Sequence, residues 1–235
     1  MNPVPAFVSY EFAGREELCL CAGAQSLRRI LLVPPLFDEM NRMRKMLVDV
    51  MHSLEALDIG SFLPDLPGTN ESFVALETVT LSDWQNAVKA CAQQNDISHI
   101  ASFRGGVLAV AGLPSASHWI FNPVKGATLL RTMLRTKVAS DKESGFSTSV
   151  AELTSRAEAN PLELAGNIVG SDLFKQLNSA GIPALAKQRI VRLDSDNKPC
   201  DGQIQGSALW LRAEPDEDPA MSAAIAQDIN EWLGL

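Results

Sequence analysis

The sequence predicts an α/β layered fold, a mostly parallel sheet with helices on both faces, and three observations carry that prediction. Short apolar runs that stop at Pro, Asn or Asp alternate with longer stretches of three-and-four periodicity, the rhythm of strand, helix and strand in a parallel sheet. One such run, Arg29-Ile-Leu-Leu-Val33 halted by Pro34-Pro35, is apolar at consecutive positions, as a central strand covered on both faces must be. With 235 residues, 46% of them hydrophobic and 20% charged, the chain is long enough for one substantial core, and its composition excludes disorder, collagen-like repeats and coiled coil.

The chain opens with two strands, about Ala6 to Phe12 and Glu17 to Ala22, joined by a turn containing Gly14, an antiparallel hairpin. Cys19 and Cys21 alternate on one strand face and read as buried, reduced thiols. With Cys91 and Cys200 they form neither a disulfide framework nor a CxxC. After the central run, Met43, Leu47, Val50, Leu54 and Leu57 give a helix from about Asp38 to Leu57 one buried stripe. A strand from Ile59 to Leu63 follows. Thr80 then caps a helix in which Leu81, Trp84, Val88 and Cys91 share a face, with Asp83 in the first turn where the helix dipole favours it. Ile97 to Phe103 reads as a strand, Gly105 to Ala111 as a small-residue helix and Ser117 to Phe121 as another strand.

From Lys125 to about Leu185 the alternation breaks. Helical signals at Ala127 to Val138, Val150 to Ala159 and Ser171 to Leu177 come without a convincing strand, so residues 125–185 read as a helical cap inserted into a core made of residues 1–124 and 186–235. The alternation resumes with strands at Arg189 to Leu193 and Ala208 to Arg212. A final helix from Pro219 carries Met221, Ile225, Ile229 and Trp232 behind the cap pair Asp218-Pro219.

A net charge of -8 disfavours nucleic-acid binding, which needs a positive excess. No run reaches the roughly 18 apolar residues of a membrane span, and Met1 to Phe7 lacks the regions of a signal peptide. A cytoplasmic protein without an integral membrane segment is expected. GxxxxGK[ST], GxGxxG after the first parallel strand, HExxH and zinc-type His/Cys spacing are all absent, so neither cofactor nor metal is expected.

Ligands of open parallel sheets bind beyond the carboxyl ends of the strands. There, Ser102-Phe-Arg-Gly-Gly106 has the small residues two positions either side of its centre that a nucleophile elbow requires. Its centre is Arg104, a permanently protonated group that cannot attack an acyl carbon. Centring the frame on Ser102 puts Ile100 and Arg104 where small residues belong. A triad of this type also needs a histidine after the last strand, yet the three histidines are His52, His99 and His118. No classical catalytic residue is therefore assigned. Glu39, Asp65, Asp194 and Glu214 sit in or near the same set of loops.

Val33-Pro-Pro-Leu-Phe-Asp-Glu-Met-Asn41, with Arg42, Arg44 and Lys45 behind it, resembles the first characteristic loop of the exosortase A system-associated hydrolases, type 2, which have the α/β-hydrolase fold. Pro64 to Ser72 resembles their Asp-Leu-x-Gly-x-Gly-x-Ser loop, with Asn70 in place of a glycine. Ser102 to Ala109 resembles their elbow, which in type 2 members commonly carries Arg instead of Ser. Asn122 to Gly126 and Leu162 to Gly166 resemble further segments of the family, while the C-terminal third matches poorly. The resemblance implies an exopolysaccharide setting, possible protein partners in that system and no particular reaction.

Two functional readings follow. In the first, the chain is a non-catalytic binding or accessory protein in which Arg104 and the backbone of Gly105 seat an anionic group of a small-molecule or glycan ligand, with Phe37, Asn41, Glu39, Asp65 and Ser102 in the same pocket. Pairing of Arg104 with Glu39 or Asp65, locking the loops, is the structural alternative. In the second, it is an atypical hydrolase or acyltransferase acting on an ester or acyl-polysaccharide through Ser102 or Glu39. The cap adds Lys125, Arg131 and Arg135, which with Lys137 and Lys142 against Asp141 make a local excess of four positive charges. That patch is either a solvated face or a contact for an anionic partner.

Overall fold

The computed structural model describes residues 5–113 and 116–234; of the Met1 to Phe7 stretch, only residues 5–7 are among them. The chain begins with β1 (Ala6–Phe12) and β2 (Arg15–Ala22), antiparallel and in register from Ala6 opposite Cys21 to Phe12 opposite Arg15. Ala13 and Gly14 both have positive φ at the turn between them, 52° and 74°, the geometry that matches strand twist in a two-residue hairpin. Cys19 and Cys21 are buried free thiols on one face, while Leu18 and Leu20 stand half-buried on the other.

The main sheet has the strand order β1-β2-β4-β3-β5-β6-β9-β10. Here β3 is Arg28–Val33, β4 Ile59–Pro64, β5 His99–Phe103, β6 Ser117–Phe121, β9 Gln188–Leu193 and β10 Gly202–Ile204. Strand β2 runs antiparallel to both neighbours, and every pair from β4 to β10 is parallel. The central run is covered on both faces, as its lack of alternation requires. Ile30 and Leu32 pack with α1 (Asp38–Ala56) and α6 (Pro219–Leu233), whereas Leu31 and Val33 pack on the side of α2 (Leu81–Gln94).

The helix signals are realised locally. The Thr80 hydroxyl accepts from the Asp83 N–H at 3.1 Å and the Asp83 carboxylate accepts from the Thr80 N–H at 2.8 Å, a reciprocal cap. Asp218 accepts from the Met221 N–H at 3.0 Å ahead of Pro219. Met221, Ile225 and Ile229 are buried, and Trp232 is half-buried.

The insertion contains α3 (Gly126–Glu143), α4 (Val150–Ala159) and α5 (Ser171–Ser179). It also contains a small antiparallel hairpin of β7 (Leu162–Leu164) and β8 (Asn167–Val169), which corrects the expectation of a purely helical cap. Three-residue strands are too short to show alternation in sequence. Their signal is the turn, where Ala165 and Gly166 adopt φ of 50° and 79°.

The C-terminal part needs a second correction. Leu209–Leu211, expected inside a strand from Ala208 to Arg212, form a 3₁₀ turn instead, and the last strand is Gly202–Ile204. Leu209 and Trp210 are apolar because they are buried with α1 and α6, a demand that a loop segment meets as well as a strand does. The small-residue helix after β5 is likewise 3₁₀, spanning Arg104–Val110.

Candidate functional site

Loops at the carboxyl ends of β3, β5, β6 and β10 build the site. The β5 loop turns sharply at Arg104, whose φ is 54°, a left-handed backbone that costs an L-residue energy and that a nucleophile elbow imposes at its central residue. The tight turn depends on Gly106, where an added Cβ would collide with the carbonyl oxygens of Val33 and Pro34. A Cβ on Gly105 would stand 3.2 Å from Leu36 and 3.3 Å from Leu129, so apolar side chains crowd the space beside the elbow. Ser102 lies beneath it, fully buried, with an Oγ that has no hydrogen-bond partner.

The β3 loop ends at Phe37, again with positive φ, 57°, and its ring meets Trp84 edge-on at 5.7 Å. That turn starts α1 so that Glu39, in the first helical turn, reaches the elbow. Arg104 donates from Nε to Glu39 Oε2 at 3.2 Å and from Nη2 to Oε1 at 3.0 Å, a two-point ion pair with side chains only 14% and 10% exposed. Its Nη1 donates to the Asn122 carbonyl at 3.0 Å, and Asn122 itself has φ of 44° at the end of β6. Burial pushes the Glu39 carboxyl above its ordinary range, with the Arg104 charge and hydrogen bonds opposing the shift.

Trp210 completes the cluster. Its ring lies 4.1 Å from the Arg104 guanidinium carbon, a cation–π contact, and it comes from the turn after the last strand, where a triad of this type carries its histidine. Arg42 fastens that turn, donating to the Trp210 carbonyl at 2.8 Å while pairing with Asp38 at 2.9 Å. Arg104 thus stands at the centre of the elbow turn, with Trp210 from the segment after the last strand against its face.

Of the residues singled out by sequence, Arg104, Glu39 and Gly105 come together, and the internal partner of Arg104 is Glu39. Asp65 is elsewhere, accepting from the Asn70 amide at 2.7 Å and the Glu71 N–H at 3.4 Å, while its carbonyl accepts from the Tyr10 hydroxyl at 2.7 Å. Phe37 and Asn41 line a cleft of about 190 Å³ with Met40, Thr69, Asn70 and Asn167. Lys125, Arg131 and Arg135 are exposed on or beside α3, whereas Lys137 pairs with Asp141 at 3.0 Å and Glu163 at 3.3 Å. Asp194 and Glu214 are exposed. His52 lies in α1, His99 in β5, and His118 in β6, where its Nε2 bonds to the Leu113 carbonyl at 2.9 Å.

Trp210, Arg42 and Asn122 were not assigned to the site from sequence. The sequence signal for Trp210 was the missing histidine after the last strand, which leaves open what fills its place. Among the described residues, no group of three His, Cys, Asp or Glu side chains is placed to hold a metal ion, and no helix is long and apolar enough to cross a membrane.

No family model and no curated protein matches the sequence. Among solved structures, the chain is similar to Est1E from Butyrivibrio proteoclasticus with bound ferulic acid, with a TM-score of 0.66 and 12% identity over 96% of this chain and 97% of that one. It is similar to an AqdC variant bound to the Pseudomonas quinolone signal, whose ring it cleaves, with a TM-score of 0.60 and 10% identity over 97% and 99%. It is also similar to the bottromycin epimerase BotH in complex with bottromycin A2, with a TM-score of 0.58 and 12% identity over 97% and 99%. The chain has the α/β-hydrolase fold, with the N-terminal antiparallel hairpin and mostly parallel sheet described above. One of them binds ferulic acid, one cleaves a quinolone ring and one is an epimerase, so the fold does not name a reaction.

Proposed function

We propose that this chain is a ligand-binding α/β-hydrolase-fold protein without a serine nucleophile, holding a small molecule in the cleft beside Phe37. The exopolysaccharide setting implied by its loop resemblance is part of the proposal. The observation that carries it is the elbow itself: its left-handed backbone is kept, yet Arg104 occupies the centre, with the Trp210 ring against its guanidinium. With Glu39 on its edge, the Asn122 carbonyl on one nitrogen and Trp210 on its face, the guanidinium is committed to the protein. Ligand contact therefore falls to the neighbouring cleft, and Arg104 locks the loops that shape it.

The likeness to Est1E, and to a thioesterase domain from the curacin pathway at a TM-score of 0.56 and 10% identity, favours a second reading as an atypical hydrolase or acyltransferase. Glu39 would then be its acid or base. Intact mass after exposure to a fluorophosphonate probe, together with turnover of a panel of p-nitrophenyl esters, separates the two. The first reading expects no adduct and no turnover above the buffer rate. A serine adduct, or turnover that Glu39→Gln abolishes, establishes the second.

A further inference from the structure

We infer that the cleft beside Phe37 is one half of a two-part site whose ligand is an amphiphile, an uncharged hydroxylated head joined to an alkyl or acyl chain. The inference rests on reading that cleft as the ligand seat and assigns its chemistry. A second cleft of about 410 Å³ adjoins it, lined by Phe7, Leu18, Leu20, Val48 and Leu63, with Met40 as a wall common to both. The partition continues through the hydrogen bond from the Asn70 amide to Asp65 at 2.7 Å, since Asn70 lines the first cleft and Asp65 the second.

The apolar half follows from sheet width. Phe7 stands opposite Leu20, and Leu20 opposite Leu63, so one row of apolar side chains crosses β1, β2 and β4. Helix α1 buries Met43, Leu47 and Val50 over the centre of the sheet and turns only its 40, 44 and 48 flank toward the outer strands. Among the described residues the row is therefore covered on one side only: Leu18 and Leu20 are half-buried and Phe7 is 64% exposed.

The polar half suits an uncharged, hydroxyl-bearing head. The amide nitrogens of Asn70 and Asn167 already donate, to Asp65 and to the Ala165 carbonyl at 2.9 Å, and the Thr69 hydroxyl donates to the Leu66 carbonyl at 2.7 Å. Each amide keeps a second N–H beside its oxygen, so these side chains offer a ligand neutral donors and acceptors, which hydroxyls match in both roles. Among the described residues, no cationic side chain lines this cleft to hold a carboxylate or phosphate. At the apolar half, Asp65 and Glu71 outnumber Arg44, which also disfavours an anionic ligand.

Calorimetric titration of the whole protein with n-octyl β-glucoside below its micelle-forming concentration tests this. Hexyl glucoside, two methylenes shorter, should bind roughly 15-fold more weakly, from about fourfold per buried methylene. Glucose and 1-octanol should each bind at least about tenfold more weakly than octyl glucoside, the chain and the head being worth several contacts apiece. Leu20→Trp should abolish the chain-length preference. Val48→Trp, which fills the cleft from the helix instead of the sheet, should do the same and serves if the strand variant melts early by circular dichroism. Asn41→Ala should narrow the gap between octyl glucoside and octanol. Equal binding of hexyl and octyl glucoside, octanol binding as tightly as octyl glucoside, or no octyl glucoside binding overturns the inference. None of these results bears on the absence of a serine nucleophile, which the fluorophosphonate adduct decides separately.

Discussion

At the scale of single residues, the Arg104 and Glu39 pair is the feature whose energetics can be tested most directly. Removing one partner of a buried ion pair strands the other charge and costs about 3–5 kcal/mol, whereas replacing both by apolar side chains is often close to neutral. Arg104→Met and Glu39→Met are each expected to lower unfolding stability by about 3 kcal/mol, and the double variant to return to within about 1 kcal/mol of the parent. Urea denaturation of the four proteins checks this, and additive losses would show that the two side chains act independently. Glu17 is a second buried carboxylate, 3% exposed, accepting from the Ser72 hydroxyl at 3.1 Å. Burial raises its pKa above the ordinary value, so the folded state binds a proton more tightly than the unfolded chain and loses stability as pH rises through the folded pKa. Glu17→Gln should therefore melt at a higher temperature than the parent at pH 7, and that difference should vanish below about pH 4.5. The opposite sign applies to His118. Burial lowers its pKa, so the unfolded chain takes up the proton more readily than the folded one and stability falls as pH drops below the ordinary histidine value.

At the scale of elements, the elbow depends on one glycine. An alanine Cβ at Gly106 would meet backbone carbonyls of Val33 and Pro34, which cannot swing aside as a side chain can. Gly106→Ala is expected to destabilise by about 3 kcal/mol or more, while Gly145→Ala, at an open turn with φ of 84°, should cost only the backbone strain of about 1 kcal/mol. Comparing their melting temperatures tests whether close approach, not turn conformation, makes the elbow sensitive. Elements with a covered face were legible in sequence: β1, β6 and α4 have the expected bounds, and the Thr80 and Asp218 caps are formed. What escaped detection lacked periodicity. Strand β10 begins Gly-Gln, with one buried residue, Ile204, and Trp210 looked like strand because burial in a turn demands the same side chains. The site was legible as an elbow with the wrong central residue. Whether Arg104 would meet Glu39 or Asp65 depended on how the β3 and β4 loops leave the sheet, a long-range geometry that spacing in sequence does not contain.

At the scale of the whole molecule, the insertion is bound into the fold. Leu129, Leu130 and Met133 of α3, Leu153 of α4 and Leu173, Phe174 and Leu177 of α5 belong to the same buried cluster as Leu31, Val33 and Ile100 of the sheet. Backbone packing reinforces this, because a Cβ on Gly170 ahead of α5 would collide with the Glu77 carbonyl in the segment before α2. Helices that share one apolar cluster with the sheet lose that burial together when either unfolds. Differential scanning calorimetry is therefore expected to give one transition, with calorimetric and van't Hoff enthalpies equal, and Leu173→Ala in α5 should shift that whole transition downward by the amount a core truncation of about 2–5 kcal/mol produces. A separate low-temperature transition that alone responds to Leu173→Ala would mean the insertion melts as its own unit, and the cleft wall supplied by Asn167 would then open without unfolding the sheet.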